Sequence, residues 1–130
     1  MKIARAHYEE MVAHALAEAP NECCGIVASV DGEAVRVFPA RNAAASPLRY
    51  VMEAGDQIRI QEEIDAQRWD YGAIYHSHTR TVPYPSQTDI NLAFYPDALY
   101  VIVGLAGEEP EVRAFQIRDG QVAEVELQVV

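Results

Sequence analysis

The sequence predicts a single α/β domain spanning residues 1–130, with a mixed, mostly antiparallel sheet flanked by helices. Three observations carry this. Two Asp-Gly pairs, at 31–32 and 119–120, each sit between runs of β-favouring residues, the pattern of a tight hairpin turn. An apolar run from Gly72 to His76 reads as a central strand. Two segments, 5–18 and 56–69, place apolar residues at helical rather than strand spacing.

In chain order, the first helix carries Tyr8, Met11, Val12, Ala15 and Leu16 on one stripe and is closed by Pro20 and Asn21. CGIVASV and EAVRVFP form the first hairpin around Asp31-Gly32. RNAAASP at 41–47 reads as a loop and LRYVM at 48–52 as a short strand. The second helix, Asp56 to Trp69, carries Ile58, Ile60, Ile64 and Trp69 in a charged setting. After the central strand, a loop with two prolines leads to a short helix from Ser86 to about Phe94. ALYVIVGLA, EVRAFQI and QVAEVELQV supply three further strands, the last two joined by Asp119-Gly120.

Composition narrows the function. Half of the residues are apolar and 23% are charged, the balance of a globular domain. No apolar run reaches the roughly 18 residues of a membrane helix, and MKIARAHYEE lacks a signal-peptide core, so the expected location is the cytoplasm. Ten basic against twenty acidic residues give a net charge of -10, which argues against nucleic acid as a partner. Cys23 and Cys24 are adjacent, poorly placed to staple distant segments, and are expected as reduced, buried residues.

The stretch YHSHTRTVPYPSQTD, Tyr75 to Asp89, holds two of the four histidines. On a strand, residues two apart leave the same face about 7 Å apart at their bases, so His76 and His78 can converge on one ion. On a helix the same spacing would turn them to nearly opposite sides. Ser77 between them should face the other side of the sheet. A catalytic zinc typically takes three protein ligands and keeps a fourth position open to water, which makes Asp89 the candidate third ligand. The same aspartate also fits a capping box, with Ser86 as N-cap and Asp89 at the third helical position. The residues alone leave both roles open for Asp89. Glu22, at the entrance to CGIVASV, is a candidate general base, against the ordinary reading of a solvated surface carboxylate.

Taken together, Glu22, His76-Ser77-His78, seven intervening residues and Ser86-x-x-Asp89 resemble the JAMM motif, also called the MPN+ or JAB domain, of zinc-dependent deubiquitinase-like metallopeptidases. PNECCGIVAS, RNAAASPLRYVMEAGDQ and YVIVGL extend the likeness over nearly the whole chain, toward the small prokaryotic branch that includes the Mec+ peptidases of cysteine synthesis. The resemblance implies a cytidine-deaminase-like JAB/MPN fold. It implies one catalytic Zn2+ held by His76, His78 and Asp89, with Glu22 as general base and Ser86 stabilising the oxyanion. It also implies a ubiquitin-like sulfur-carrier protein as substrate, cut after its C-terminal glycine, with cysteine as the released group in the Mec+ branch.

A glycine-ended tail could bind by adding a strand to an exposed edge near the metal, with loop 79–85 and segment 41–53 as expected cleft walls. The competing readings are a module that binds such tails without cutting them, and the same peptidase acting on lysine isopeptides or extended carrier precursors. A zinc deaminase would need a P-C-x-x-C pair downstream, and no cysteine follows Cys24.

Overall fold

The computed structural model describes residues 1–130. The elements are β1 (Lys2–Ile3), α1 (Arg5–Glu18), β2 (Cys24–Val30), β3 (Glu33–Ala40), α2 (Ala54–Gln67), β4 (Asp70–His78), α3 (Gln87–Asn91), β5 (Leu99–Gly104), β6 (Glu111–Arg118), β7 (Gln121–Val125) and β8 (Gln128–Val129). All eight strands form one sheet in the order β7-β6-β5-β4-β2-β3-β1-β8. The pairs β2–β3, β2–β4, β5–β6 and β6–β7 are antiparallel; β1–β3, β1–β8 and β4–β5 are parallel. This is the mixed sheet that the sequence predicts.

Both Asp-Gly turns form as expected. Asp31 and Gly32 have φ of 50° and 77°, Asp119 and Gly120 of 50° and 74°, so both central residues occupy the positive-φ region that a type I′ hairpin requires. The alternating side chains of the inner strands feed two cores. On one face Met11 and Ala15 of α1 pack with Cys23, Val27, Tyr75 and Val101. On the other, Ile60 and Ile64 of α2 pack with Cys24, Ile26 and Phe38, and a neighbouring cluster joins Ile74, Ile102 and Phe115. The result is a sheet between two helical layers.

Several boundaries differ from the sequence reading. LRYVM is not a strand: it makes one isolated bridge, Asn42 to Met52, because the Asn42 side chain takes backbone groups that a ladder would use. The third helix ends at Asn91, three residues before Phe94. QVAEVELQV splits into β7 and β8, and β8 pairs with β1, a two-residue strand too short to be signalled by alternation. Leu16 and Ile58 lie on exposed faces of their helices rather than in the buried stripes. The second helix starts two residues early because Glu53 caps it, accepting from the backbone N–H of Gly55 and Asp56 at 3.0 and 2.7 Å.

Candidate active site

Strand β4 carries His76 and His78 to its C-terminal end with Ser77 between them, and the period of two sends both imidazoles to the α2 side of the sheet. Ser77 faces the other way and is fully buried, where its Oγ accepts the Cys23 backbone N–H at 2.8 Å. The parallel neighbour β5 ends at Gly104, in register with His78. A Cβ there would press on the Pro83 ring, so the glycine lets loop 79–85 fold back over the strand end. That fold brings the Val82 carbonyl to 2.9 Å from His78 Nδ1. A carbonyl only accepts, so Nδ1 carries a proton and Nε2 is the nitrogen left to face Asp89 and His76.

Asp89 answers both sequence readings at once. Its N–H donates to Ser86 Oγ at 3.1 Å and its Oδ2 accepts the Ser86 N–H at 2.9 Å, a complete capping box. The same Oδ2 lies 3.0 Å from His78 Nε2 and 3.3 Å from His76 Nε2, and the two Nε2 atoms are 3.1 Å apart. Helix capping therefore aims the carboxylate instead of competing with the histidines for it.

These three atoms form a nearly equilateral triangle. A tetrahedral ion with bonds of roughly 2.0–2.1 Å has ligand-to-ligand edges of about 3.3 Å, so the triangle matches one face of such a tetrahedron. His76, His78 and Asp89 could thus hold a metal ion, and the donor set of two imidazole nitrogens and a carboxylate oxygen suits a divalent cation.

Glu22 reaches the same face through register. Cys24 pairs with His76, and the Ser77 N–H donates to the Cys23 carbonyl at 3.2 Å, which brings Glu22 level with His78 on the neighbouring strand. Glu22 is 5% exposed and its Oε1 has no hydrogen-bond partner. Burial pushes its carboxyl up to about 7, with the His78 charge pulling down and Asp89 pushing up. Burial also works against the Asp89 carboxylate, but hydrogen bonds from His76 and His78 overcome it and hold the group well below the usual carboxylate range. His78 is pulled down by burial, and the bonds to Asp89 and Val82 outweigh this, so its net shift is upward.

Two contributors escaped the sequence reading. Tyr50 stacks on the His76 ring at 4.6 Å between centroids and 29° between planes, fixing the imidazole from the open side. Asn42 pins the Tyr50 segment to the Glu22 backbone through its side-chain amide. The available signal for both was a polar or aromatic side chain inside a long loop. Cys23 and Cys24 are free and buried, on opposite faces of β2, and burial pushes their thiols up to about 11 and about 12. Protonated thiols of this kind are poor nucleophiles.

A groove of about 220 Å³ opens beside the triangle. Segment 48–52 forms one wall; Ser86, Thr88, Leu92 and Phe94 form another. Of segment 41–53, residues 48–52 line this groove; loop 79–85 does not, and its Val82 carbonyl braces His78 instead.

Residues 4–118 match the family described as prokaryotic homologs of the JAB domain. The chain is 40% identical over 123 residues to the CysO-cysteine peptidase of Mycobacterium tuberculosis, covering 92% of this chain and 84% of that protein. It is 36% identical over 120 residues to a probable TtuB-protein conjugate cleaving protease of Thermus thermophilus, covering 92% and 77%. The solution structure of a Desulfitobacterium hafniense protein superposes with a TM-score of 0.88 at 32% identity, covering 100% of this chain and 93% of that one. Sequence, fold and relatives agree: this chain belongs to the prokaryotic homologs of the JAB domain.

Proposed function

We propose that this protein is a cytoplasmic zinc metallopeptidase that hydrolyses the peptide or isopeptide bond after the C-terminal glycine of a ubiquitin-like sulfur-carrier protein, releasing cysteine in cysteine biosynthesis or sulfur transfer. The observation that carries it is the triangle of His76 Nε2, His78 Nε2 and Asp89 Oδ2, with edges of 3.0–3.3 Å, together with the buried Glu22 just ahead of the adjoining strand. Peptidase relatives at 36–40% identity, one acting by its name on a CysO-cysteine adduct and one on protein conjugates of TtuB, support the substrate class.

His76, His78 and Asp89 would hold the zinc ion, and three protein ligands leave the open position that a hydrolytic site needs. A zinc ion held there supplies Lewis acidity to the attacking water and to the scissile carbonyl. Glu22 takes the proton from that water as its oxygen bonds to the carbonyl carbon. The tetrahedral centre then collapses, the C–N bond breaks, and Glu22 returns the proton to the departing amine. Burial keeps Glu22 out of bulk water, with its Oε1 unpartnered and free to take and return the proton. The Ser86 hydroxyl uses its oxygen as an acceptor in the capping box, which leaves its O–H free to donate to the carbonyl oxygen as that gains charge. The walls of the groove would guide the extended tail, and a chain ending in glycine passes Tyr50 with no side chain to collide.

The test is elemental analysis for zinc, combined with incubation of the protein, with and without chelator, with a ubiquitin-like carrier extended beyond its terminal glycine by one cysteine. Stoichiometric zinc and chelator-sensitive release of cysteine are expected. Zinc-independent tail binding with no release would favour the binding-module reading.

A further inference from the structure

We infer that Arg49 reads the free α-carboxylate of a single amino acid appended to the carrier tail, making adducts of that kind the preferred substrate over lysine isopeptides. This rests on the proposed peptidase reading. Among the residues lining the groove only Asp89 and Arg49 are charged, and Asp89 is committed to the two histidines and the Ser86 N–H. Arg49 has no carboxylate partner. Arg36, Arg41, Arg59 and Arg113 each pair with a carboxylate; Arg5, Arg68, Arg80 and Arg118 are unpaired like Arg49, but none of them lines the groove.

The backbone under Arg49 is fixed. Its carbonyl accepts from Asn42 Nδ2 at 3.1 Å, and the next residue, Tyr50, lies flat on His76. Arg49 thus lines the groove one residue from that stack. When the leaving group is a lone amino acid, its carboxylate carbon sits about 2.5 Å from the scissile nitrogen, across one Cα. A planar, permanently charged fork is the side chain best matched to that anion. In a lysine isopeptide the scissile nitrogen ends a four-carbon chain, and the lysine carboxyl is tied up in a peptide bond. Such a substrate offers Arg49 no anion.

The experiment compares kcat/KM for two carriers that differ only at the last atom group, a tail ending in Gly-Cys with a free carboxylate and the same tail ending in a carboxamide. Each is tested on the zinc-loaded wild type and on Arg49→Gln. The wild type should prefer the acid by roughly ten- to hundredfold, through KM, and the ratio should collapse toward one in Arg49→Gln, with Arg49→Lys in between. A ratio that stays the same in Arg49→Gln, or a wild type that does not discriminate, overturns the inference. If the wild type cuts neither carrier, the peptidase reading falls. The affinity of a Glu22→Gln protein for the two tails, with and without Arg49→Gln, then still decides whether Arg49 senses the carboxylate.

Discussion

The side-chain amide of Asn42 donates through Nδ2 to the Glu22 carbonyl at 3.0 Å, tying the loop that walls the groove to the strand entrance that carries the candidate base. The same amide donates to the Arg49 carbonyl at 3.1 Å and accepts from the N–H groups of Ala44 and Val51, both at 3.0 Å. All four of its hydrogen-bonding positions are used. Replacing Asn42 with Ala leaves two carbonyls and two N–H groups to find other partners. A loss of about 1–3 kcal/mol is expected in urea unfolding, with a fall in kcat larger than the loss of folded protein explains. Asp at this position keeps the acceptor and loses both donors, so it should recover only part.

Burial of Glu22 gives the metal-free protein a pH dependence of definite sign. The carboxyl titrates near 4.5 when exposed and at about 7 in the fold, so between these values the folded state holds a proton that the unfolded state has lost. Stability from this group is complete below 4.5 and falls as pH rises through 7. Asp89 works in the opposite direction, with stability lost as pH drops through and below the ordinary carboxylate range, and His78 loses its contribution only above its ordinary value of 6.5. Urea midpoints in chelator from pH 4.5 to 7.5 should therefore fall less steeply for Glu22→Gln than for wild type. Equal slopes would remove the buried carboxyl from the account.

Tyr50 holds the His76 ring by stacking, so its contribution belongs to metal binding before catalysis. Tyr50→Ala should weaken zinc affinity by about 10–100-fold, the usual effect of losing a group that orients a ligand, whereas Tyr50→Phe keeps the stack and most of the affinity. Competition against a colorimetric chelator reads this without any turnover.

Ser86 caps α3, and the proposed mechanism gives it a second, separable duty. Ser86→Ala loses the cap, worth about 1 kcal/mol, and the donor to the carbonyl oxygen, worth about 10²–10³-fold in kcat. Ser86→Thr keeps a hydroxyl for both and should restore helix stability fully and activity in part. A Ser86→Ala enzyme with wild-type kcat would confine the serine to capping.

The fold was legible where local chemistry dictates it. Asp31-Gly32 and Asp119-Gly120 fix two hairpins by their turn geometry, and the apolar runs of β2, β4 and β5 mark strands buried on both faces. β1 and β8 were not legible, because two residues give no alternation to read and their pairing is settled by the strands around them. The convergence of His76, His78 and Asp89 was legible from the period of a strand and the start of a helix. The sequence left cap and ligand open for Asp89, and the two roles are compatible: the oxygen that accepts the Ser86 N–H also faces both imidazoles. Glu22 needed the β2–β4 register to bring it level with His78, and Tyr50 and Asn42 act through a loop whose path is set by long-range hydrogen bonds that leave no periodic trace.

The most direct measurement is the intact mass of a carrier bearing one cysteine after its terminal glycine, followed over time with zinc-loaded wild type and zinc-loaded Glu22→Gln. Loss of one cysteine residue is expected with the wild type, and a rate lower by about 10²–10⁴-fold with Glu22→Gln, although both proteins bind zinc and carrier. Cleavage by Glu22→Gln at the wild-type rate, or a carrier left intact by both, would contradict it.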